Sequence, residues 1–288
     1  MARLDVRKTY KLFIGGAFPR SESGRTYEAL DADGRFLANA AQGSRKDVRD
    51  AVVAARGAFA GWSGRTAYNR GQILYRVAEV LEGRRDQLTA EVAASEGLST
   101  RKAAAEVDAA IDRWVWYAGW TDKLPQVLGS ANPVAGPYFN LSSPEPTGVV
   151  AVIAPQVSSL LGLVSVVAPA LACGNTVVAV ASEDRPLPAV TLGEVLATSD
   201  LPGGVVNLIT GRTTELATVL AAHMDVNAID LTGAAPADRA ALEVSAADST
   251  KRIIARPADA EEAWHEQPGT ARMRAAMELK TVWHPMGI

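Results

Sequence analysis

Val149-Val150-Ala151-Val152-Ile153 is a short β-branched run closed by Pro155, and it reads as a buried strand. Leu160 to Ala172 is apolar apart from Ser165, which predicts a buried helix, and Gly174 stands where such a helix needs a left-handed stop residue. Thr176 to Val180 is a second strand, Pro188 to Thr198 a second helix and Leu201-Pro202-Gly203-Gly204 a turn. Val205 to Ile209 is a third strand, ending at Thr210-Gly211. Strand, helix, strand, helix, strand predicts a parallel sheet with right-handed crossovers, a Rossmann-like α/β arrangement. Such sheets take ligands at the carboxyl ends of their strands.

The same periods run through both flanks. Tyr10 to Phe18 reads as strand, turn, strand, and Tyr27 and Phe36-Leu37-Ala38 supply short edge strands. Ser44 is positioned as the N-cap of a helix with Val48, Val52, Ala55 and Phe59 on one face, followed by Trp62 as a core anchor. Asn69 to Gly83, Arg84 to Glu96 and Thr100 to Trp120 are three more helices. The last carries Trp114, Trp116, Tyr117 and Trp120, and packing against a sheet explains these rings better than a ligand platform does. Asp122 to Pro146 is broken by Gly and Pro, with Tyr138-Phe139-Asn140-Leu141-Ser142 alternating like an exposed strand; a surface loop is the competing reading. Beyond Gly211 come a helix over Glu215 to Ala222, a strand at Ala228 to Leu231, a helix through Leu242 and a strand at Lys251 to Ala255. Arg256 to Pro268 has the composition of a linker, Arg272 to Leu279 reads as a short helix, and Lys280-Thr281-Val282-Trp283-His284-Pro285 is strand-like.

Composition narrows the function classes. Lys and Arg number 29 against 32 Asp and Glu, a net charge of −3, which gives no electrostatic case for nucleic acid. One cysteine excludes an internal disulfide and a cysteine-rich metal site. His223, His265 and His284 are scattered without ligand spacing, so no metal site is expected. The opening Met-Ala-Arg-Leu-Asp-Val-Arg-Lys offers no apolar targeting core, and Leu160 to Ala172 is too short to span a bilayer. A cytoplasmic protein without a membrane partner is the expectation.

Ala168-Pro169-Ala170-Leu171-Ala172-Cys173-Gly174-Asn175-Thr176-Val177-Val178, Leu201-Pro202-Gly203-Gly204-Val205-Val206-Asn207 and Thr210-Gly211 resemble the aldehyde dehydrogenase superfamily. The resemblance runs along nearly the whole chain. It implies an NAD-binding domain from residues 1–121 and 149–256, with oligomerisation arm strands in 122–148 and 279–288. In full-length members a catalytic domain occupies the place of 257–278, which here is a linker. Tyr138, Phe139, Asn140 and Leu141, with Lys280, Thr281, Val282 and Trp283, are the arm residues the resemblance implies.

Aldehyde oxidation through a thiohemiacetal needs a thiolate, oxyanion donors, a base and a held nicotinamide. The sole thiol, Cys173, falls at the carboxyl end of the buried helix, where the helix dipole disfavours a thiolate. Against the family motifs, Val157 takes the place of the oxyanion asparagine and Arg256 that of the general-base glutamate. The ribose-holding Lys-Pro-Ser-Glu is Val180-Ala181-Ser182-Glu183, and Phe-Thr-Gly-Ser is Leu231-Thr232-Gly233-Ala234. Asp238 replaces a second glycine, and its charge would repel phosphate. No catalytic residue is assigned. Ser182, Glu183, Gly211 and Gly233 are expected to be relics of a cofactor site that holds NAD(P) weakly or not at all.

These readings converge on a non-catalytic aldehyde dehydrogenase-like subunit that pairs with a full-length aldehyde dehydrogenase or with itself. A divergent NAD(P)-dependent enzyme and a nucleotide-sensing module are the alternatives.

Overall fold

The computed structural model describes residues 8–254 and 263–287. In chain order the elements are β1 (Thr26–Leu30), β2 (Phe36–Ala41), α1 (Arg45–Ser63), α2 (Ala67–Gly83), α3 (Arg85–Glu96), α4 (Thr100–Ala118), α5 (Leu124–Leu128), β3 (Ser130–Asn132) and β4 (Tyr138–Pro146). They continue with β5 (Val149–Ile153), α6 (Leu161–Ala172), β6 (Thr176–Val180), α7 (Leu187–Ala197), β7 (Val206–Ile209), α8 (Thr213–Ala222), β8 (Ala228–Asp230), α9 (Pro236–Ala247), β9 (Arg252–Ile254), α10 (Ala271–Ala275) and β10 (Met277–Pro285).

The centre is a five-stranded sheet of order β7-β6-β5-β8-β9, parallel throughout. Parallel strands need helices on both faces, and β5 shows the consequence. Val150 and Val152 enter a core with α2, α4 and α6, while Val149, Ala151 and Ile153 enter a second core with α1, α8 and α9. Every residue of α6 is buried, which explains its lack of a polar face. Gly174 follows it at φ +94°, a conformation that favours glycine. On α4, Trp114 and Tyr117 are buried and Trp116 meets Tyr117 edge-on at 4.9 Å, so these rings are core. Ser44 caps α1 in a capping box with Asp47, and Trp62 donates its Nε1 hydrogen to Leu171 O at 3.3 Å.

Beside this body stands a second sheet of order β10-β4-β3, antiparallel. Its outer strands come from distant parts of the chain. Tyr138 pairs with Pro285, Asn140 with Trp283 and Ser142 with Thr281. Asn175 anchors its root. The Asn175 Oδ1 accepts from Gly148 N at 2.8 Å, and Nδ2 donates to Ala276 O at 2.8 Å.

Four differences from the sequence reading have local causes. Tyr10 to Phe18 forms isolated bridges rather than a regular hairpin, because Phe13 pairs with Leu208 across to the main sheet. The α4 helix stops at Ala118, ahead of Gly119. The Gly- and Pro-broken stretch after Asp122 still holds α5, with Pro125 in its first turn, and β3. The predicted helix to Leu279 ends at Ala275, because Met277 onward pairs with β4 from Pro146 outward.

Candidate functional site

The carboxyl ends of the parallel strands bring together what the sequence singles out. After β6, Ser182 Oγ donates to Gln156 O at 3.0 Å, and the Glu183 amide donates to Gln156 Oε1 at 2.9 Å. The loops after β5 and β6 are thus tied by Gln156, a residue the sequence reading did not single out. Both oxygens of the Glu183 carboxylate have a partner. Its Oε1 accepts from Arg212 Nη1 at 2.6 Å, and its Oε2 accepts from the Thr213 amide at 2.8 Å. Thr213 opens α8, so Glu183 occupies the positive end of that helix, where an anion is favoured.

Gly211 follows β7 at φ +146°, and a Cβ there would stand 3.0 Å from Gly43 N. Gly233 follows β8, and a Cβ there would meet Ala154 O at 1.8 Å. Both glycines are therefore required by backbone packing alone. Between α8 and α9, Asp238 Oδ2 accepts from Thr214 Oγ1 at 3.1 Å. Val180, where the resemblance puts a ribose-holding lysine, is fully buried and without a polar group. Ser182, Glu183 and Gly211 lie together at the ends of β6 and β7, and Gly233 lies at the end of β8, beyond β5.

The catalytic positions can be placed in the same way. Cys173 caps the carboxyl end of α6 and is buried, with its Sγ 3.5 Å from Met273 O. Burial pushes its thiol far above the ordinary range, with Arg70 opposing. Val157 is 61 % exposed in the loop between β5 and α6, and its side chain carries no donor. The next residue, Ser158, adopts φ +57° and donates from Oγ to Glu106 Oε1 at 2.6 Å. Arg256 lies outside the described residues. His223 caps α8, His265 is exposed and His284 is on β10; among the described residues no group of His, Cys, Asp and Glu could hold a metal ion.

The predicted arm residues meet. Tyr138 to Leu141 on β4 and Lys280 to Trp283 on β10 are adjacent in register, and the Tyr138 and Trp283 rings meet edge-on at 5.8 Å. Asn140 is the buried member, accepting from Asn132 Nδ2 at 2.6 Å. Phe139, Leu141, Val282 and Trp283 are exposed, and the outer edge of β10 carries no strand among the described residues.

A second constellation went unread in the sequence because three separate elements build it. Asp230, at the end of β8, accepts from the Thr232 amide at 2.9 Å and from Arg272 Nη1 at 2.8 Å. Arg272 also lies over the Trp264 ring, and Arg113 of α4 donates to the carbonyls of Trp264 and Glu266. No spacing rule links residues 113, 230, 264 and 272.

Among the described residues no helix is long and apolar enough to cross a membrane. The sequence profile of the aldehyde dehydrogenase family matches residues 19–257. The chain is 34 % identical over 247 residues to the mitochondrial benzaldehyde dehydrogenase of Antirrhinum majus, covering 84 % of this chain and 46 % of that protein. It is 31 % identical over 255 residues to retinal dehydrogenase 2 of Homo sapiens, covering 87 % and 48 %. Among solved structures, HpcC from Thermus thermophilus superposes with a TM-score of 0.82 at 34 % identity, covering 86 % of this chain and 48 % of that one. The NAD+ complex of an aldehyde dehydrogenase from Bacillus cereus superposes with a TM-score of 0.82 at 28 % identity, covering 86 % and 50 %. The chain thus spans about half the length of the curated relatives it matches. With its parallel sheet, its glycine-bounded strand ends and a profile match over most of its length, this chain belongs to the aldehyde dehydrogenase family.

Proposed function

We propose that this chain is a non-catalytic member of the family, which assembles through its β4–β10 sheet with a full-length NAD(P)-dependent aldehyde dehydrogenase or with itself, and so stabilises or regulates the active partner. The observation that carries the reading is the outer edge of β10, flanked by exposed Leu279, Val282 and Trp283. A long sheet edge with exposed apolar side chains invites another strand, and strand addition is an ordinary route to assembly. A subunit that binds only the folded partner stabilises it by mass action.

The catalytic positions support the same reading. The only thiol is buried and held protonated, and the position of the oxyanion donor is a valine. The cofactor is expected to bind weakly or not at all. Glu183 already answers to Arg212 and Thr213, and Asp238 bridges to Thr214 where the nucleotide would enter. Titration of the purified chain with NAD and NADP should give no saturable heat at sub-millimolar concentration, and added aldehyde should produce no reduced cofactor. Aldehyde-dependent reduction of NAD by the chain alone would restore the divergent enzyme. Tight binding without turnover would favour a nucleotide sensor, which the retained backbone approach at Gly233 also suits.

A further inference from the structure

Neither outer strand of the arm sheet has a further neighbour among the described residues, and the two are unequal. β3 is three residues long, whereas β10 is nine and stays exposed from Glu278 to Pro285. A strand added at β10 can make a full ladder, and one added at β3 cannot.

Alternation divides the residues of β10 between two faces. Leu279, Thr281 and Trp283 share one, with Thr281 Oγ1 2.8 Å from Ser142 Oγ on β4. Glu278, Lys280, Val282 and His284 share the other, where Lys280 Nζ meets Glu145 Oε1 at 3.3 Å. Leu279 is 65 % exposed, and its edge-on contact with Tyr138 still leaves Trp283 57 % exposed.

A second copy of the chain, related by a two-fold axis perpendicular to the sheet, would add its own β10 antiparallel to this one. Such an axis must pass through a residue, because side chains directly opposite in a ladder lie on the same face. With the axis at Thr281, Leu279 stands against Trp283 and Trp283 against Leu279, so both exposed apolar side chains gain a cross-strand partner. Thr281 faces its own copy and extends the Ser142–Thr281 hydroxyl pair across the axis. On the other face Glu278, whose carboxylate also holds Arg252, stands against His284, an acid against a base. Lys280 lies along Val282, which its aliphatic stem can cover. The neighbouring axes fit worse. An axis at Lys280 sets Lys280 against Lys280, and an axis at Val282 sets Lys280 against His284. Like charges directly opposite are destabilising, so Lys280 keys the register.

We propose that β10 pairs antiparallel with β10 of a second copy about an axis at Thr281, joining two arm sheets into one. The inference rests on the reading that assembly runs through β10, and it commits that edge to a second copy of this chain.

The test is disulfide trapping in the purified full chain. Cys173 is buried, so the parent chain should not cross-link on oxidation. Thr281→Cys should form an intermolecular disulfide, because the two substituted residues lie directly opposite. Lys280→Cys and Val282→Cys each lie on a diagonal, about 7–8 Å from their own copies, beyond disulfide reach. Both should run as monomers on denaturing gels. Trp283→Ser, which removes one apolar partner from each half of the ladder, should raise the dimer dissociation constant about tenfold or more. Cross-linking at 280 or 282 in preference to 281, an unchanged dissociation constant for Trp283→Ser, or a monomeric native mass with no cross-link at 281 would each overturn the proposal. If such a monomer still joins a full-length aldehyde dehydrogenase and loses it when residues 279–288 are removed, self-pairing fails while assembly through β10 stands. An oligomer that neither cross-links at 281 nor responds to that deletion would sink both.

Discussion

Glu106 sits on α4 beneath the loop that joins β5 to α6, buried, and accepts from Ser158. Burial holds its carboxyl above the ordinary value of 4.5, the nearby Glu96 adds to this, and the Ser158 hydrogen bond and His265 oppose it. The folded chain therefore binds this proton more tightly than the unfolded chain does. The stabilisation is fully present below pH 4.5 and is lost as pH rises through the higher folded value. Glu106→Gln keeps an acceptor for Ser158 and removes the titration. Its stability relative to the parent should rise between pH 4.5 and about pH 7.5, read by urea unfolding at both; a constant difference would contradict the assignment. Gly233 gives a second residue-scale expectation. Gly233→Ala forces a methyl into Ala154 O and should cost about 1–3 kcal/mol in the same assay. The motifs marked glycines 211 and 233 only as remnants of a cofactor site; the close backbone approach at each, like the partners of Glu183, was not legible in them. Arg212 and Thr213 reach Glu183 only because β6 and β7 are neighbours, a fact of topology rather than of spacing.

At the scale of elements, the strands and helices of the central sheet were readable because each carries an undisturbed period. The five apolar residues of β5 and the wholly buried α6 have no competing pattern. The arm was harder. The exposed and buried residues of β4 alternate weakly, and β10 is exposed from Glu278 to Pro285, so no buried face announces either strand. Their register follows from pairing with each other across more than a hundred residues of chain. Asn175 is one of the ties between arm and body, beside the Arg252–Glu278 ion pair, and it was visible only as part of a motif. Its amide bridges Gly148, Ala170 and Ala276 in a fully buried position. Asn175→Ala leaves the buried Gly148 amide unpaired, while Ala170 O keeps the residue-175 amide and Ala276 O the Thr147 amide, and it should destabilise the chain by about 1–3 kcal/mol. Hydrogen exchange should show faster opening of 276–285 than of β5 or β6; uniform protection across both would show that Asn175 does not couple arm and body.

At the scale of the whole molecule, a family domain spanning about half the length of its relatives keeps a packed sheet and a projecting one. The two cores, on opposite faces of the parallel sheet, need nothing from a partner to close. The outer edge of β10 carries no strand among the described residues, and we propose that assembly runs through it. The direct test is the native mass of the gently purified tagged chain from its own cells, with and without residues 279–288. The expected result is a complex with a full-length aldehyde dehydrogenase in stoichiometric amount, or a homo-oligomer, that falls apart when those residues are removed. A monomer, or an assembly whose mass is unchanged by the deletion, would contradict it.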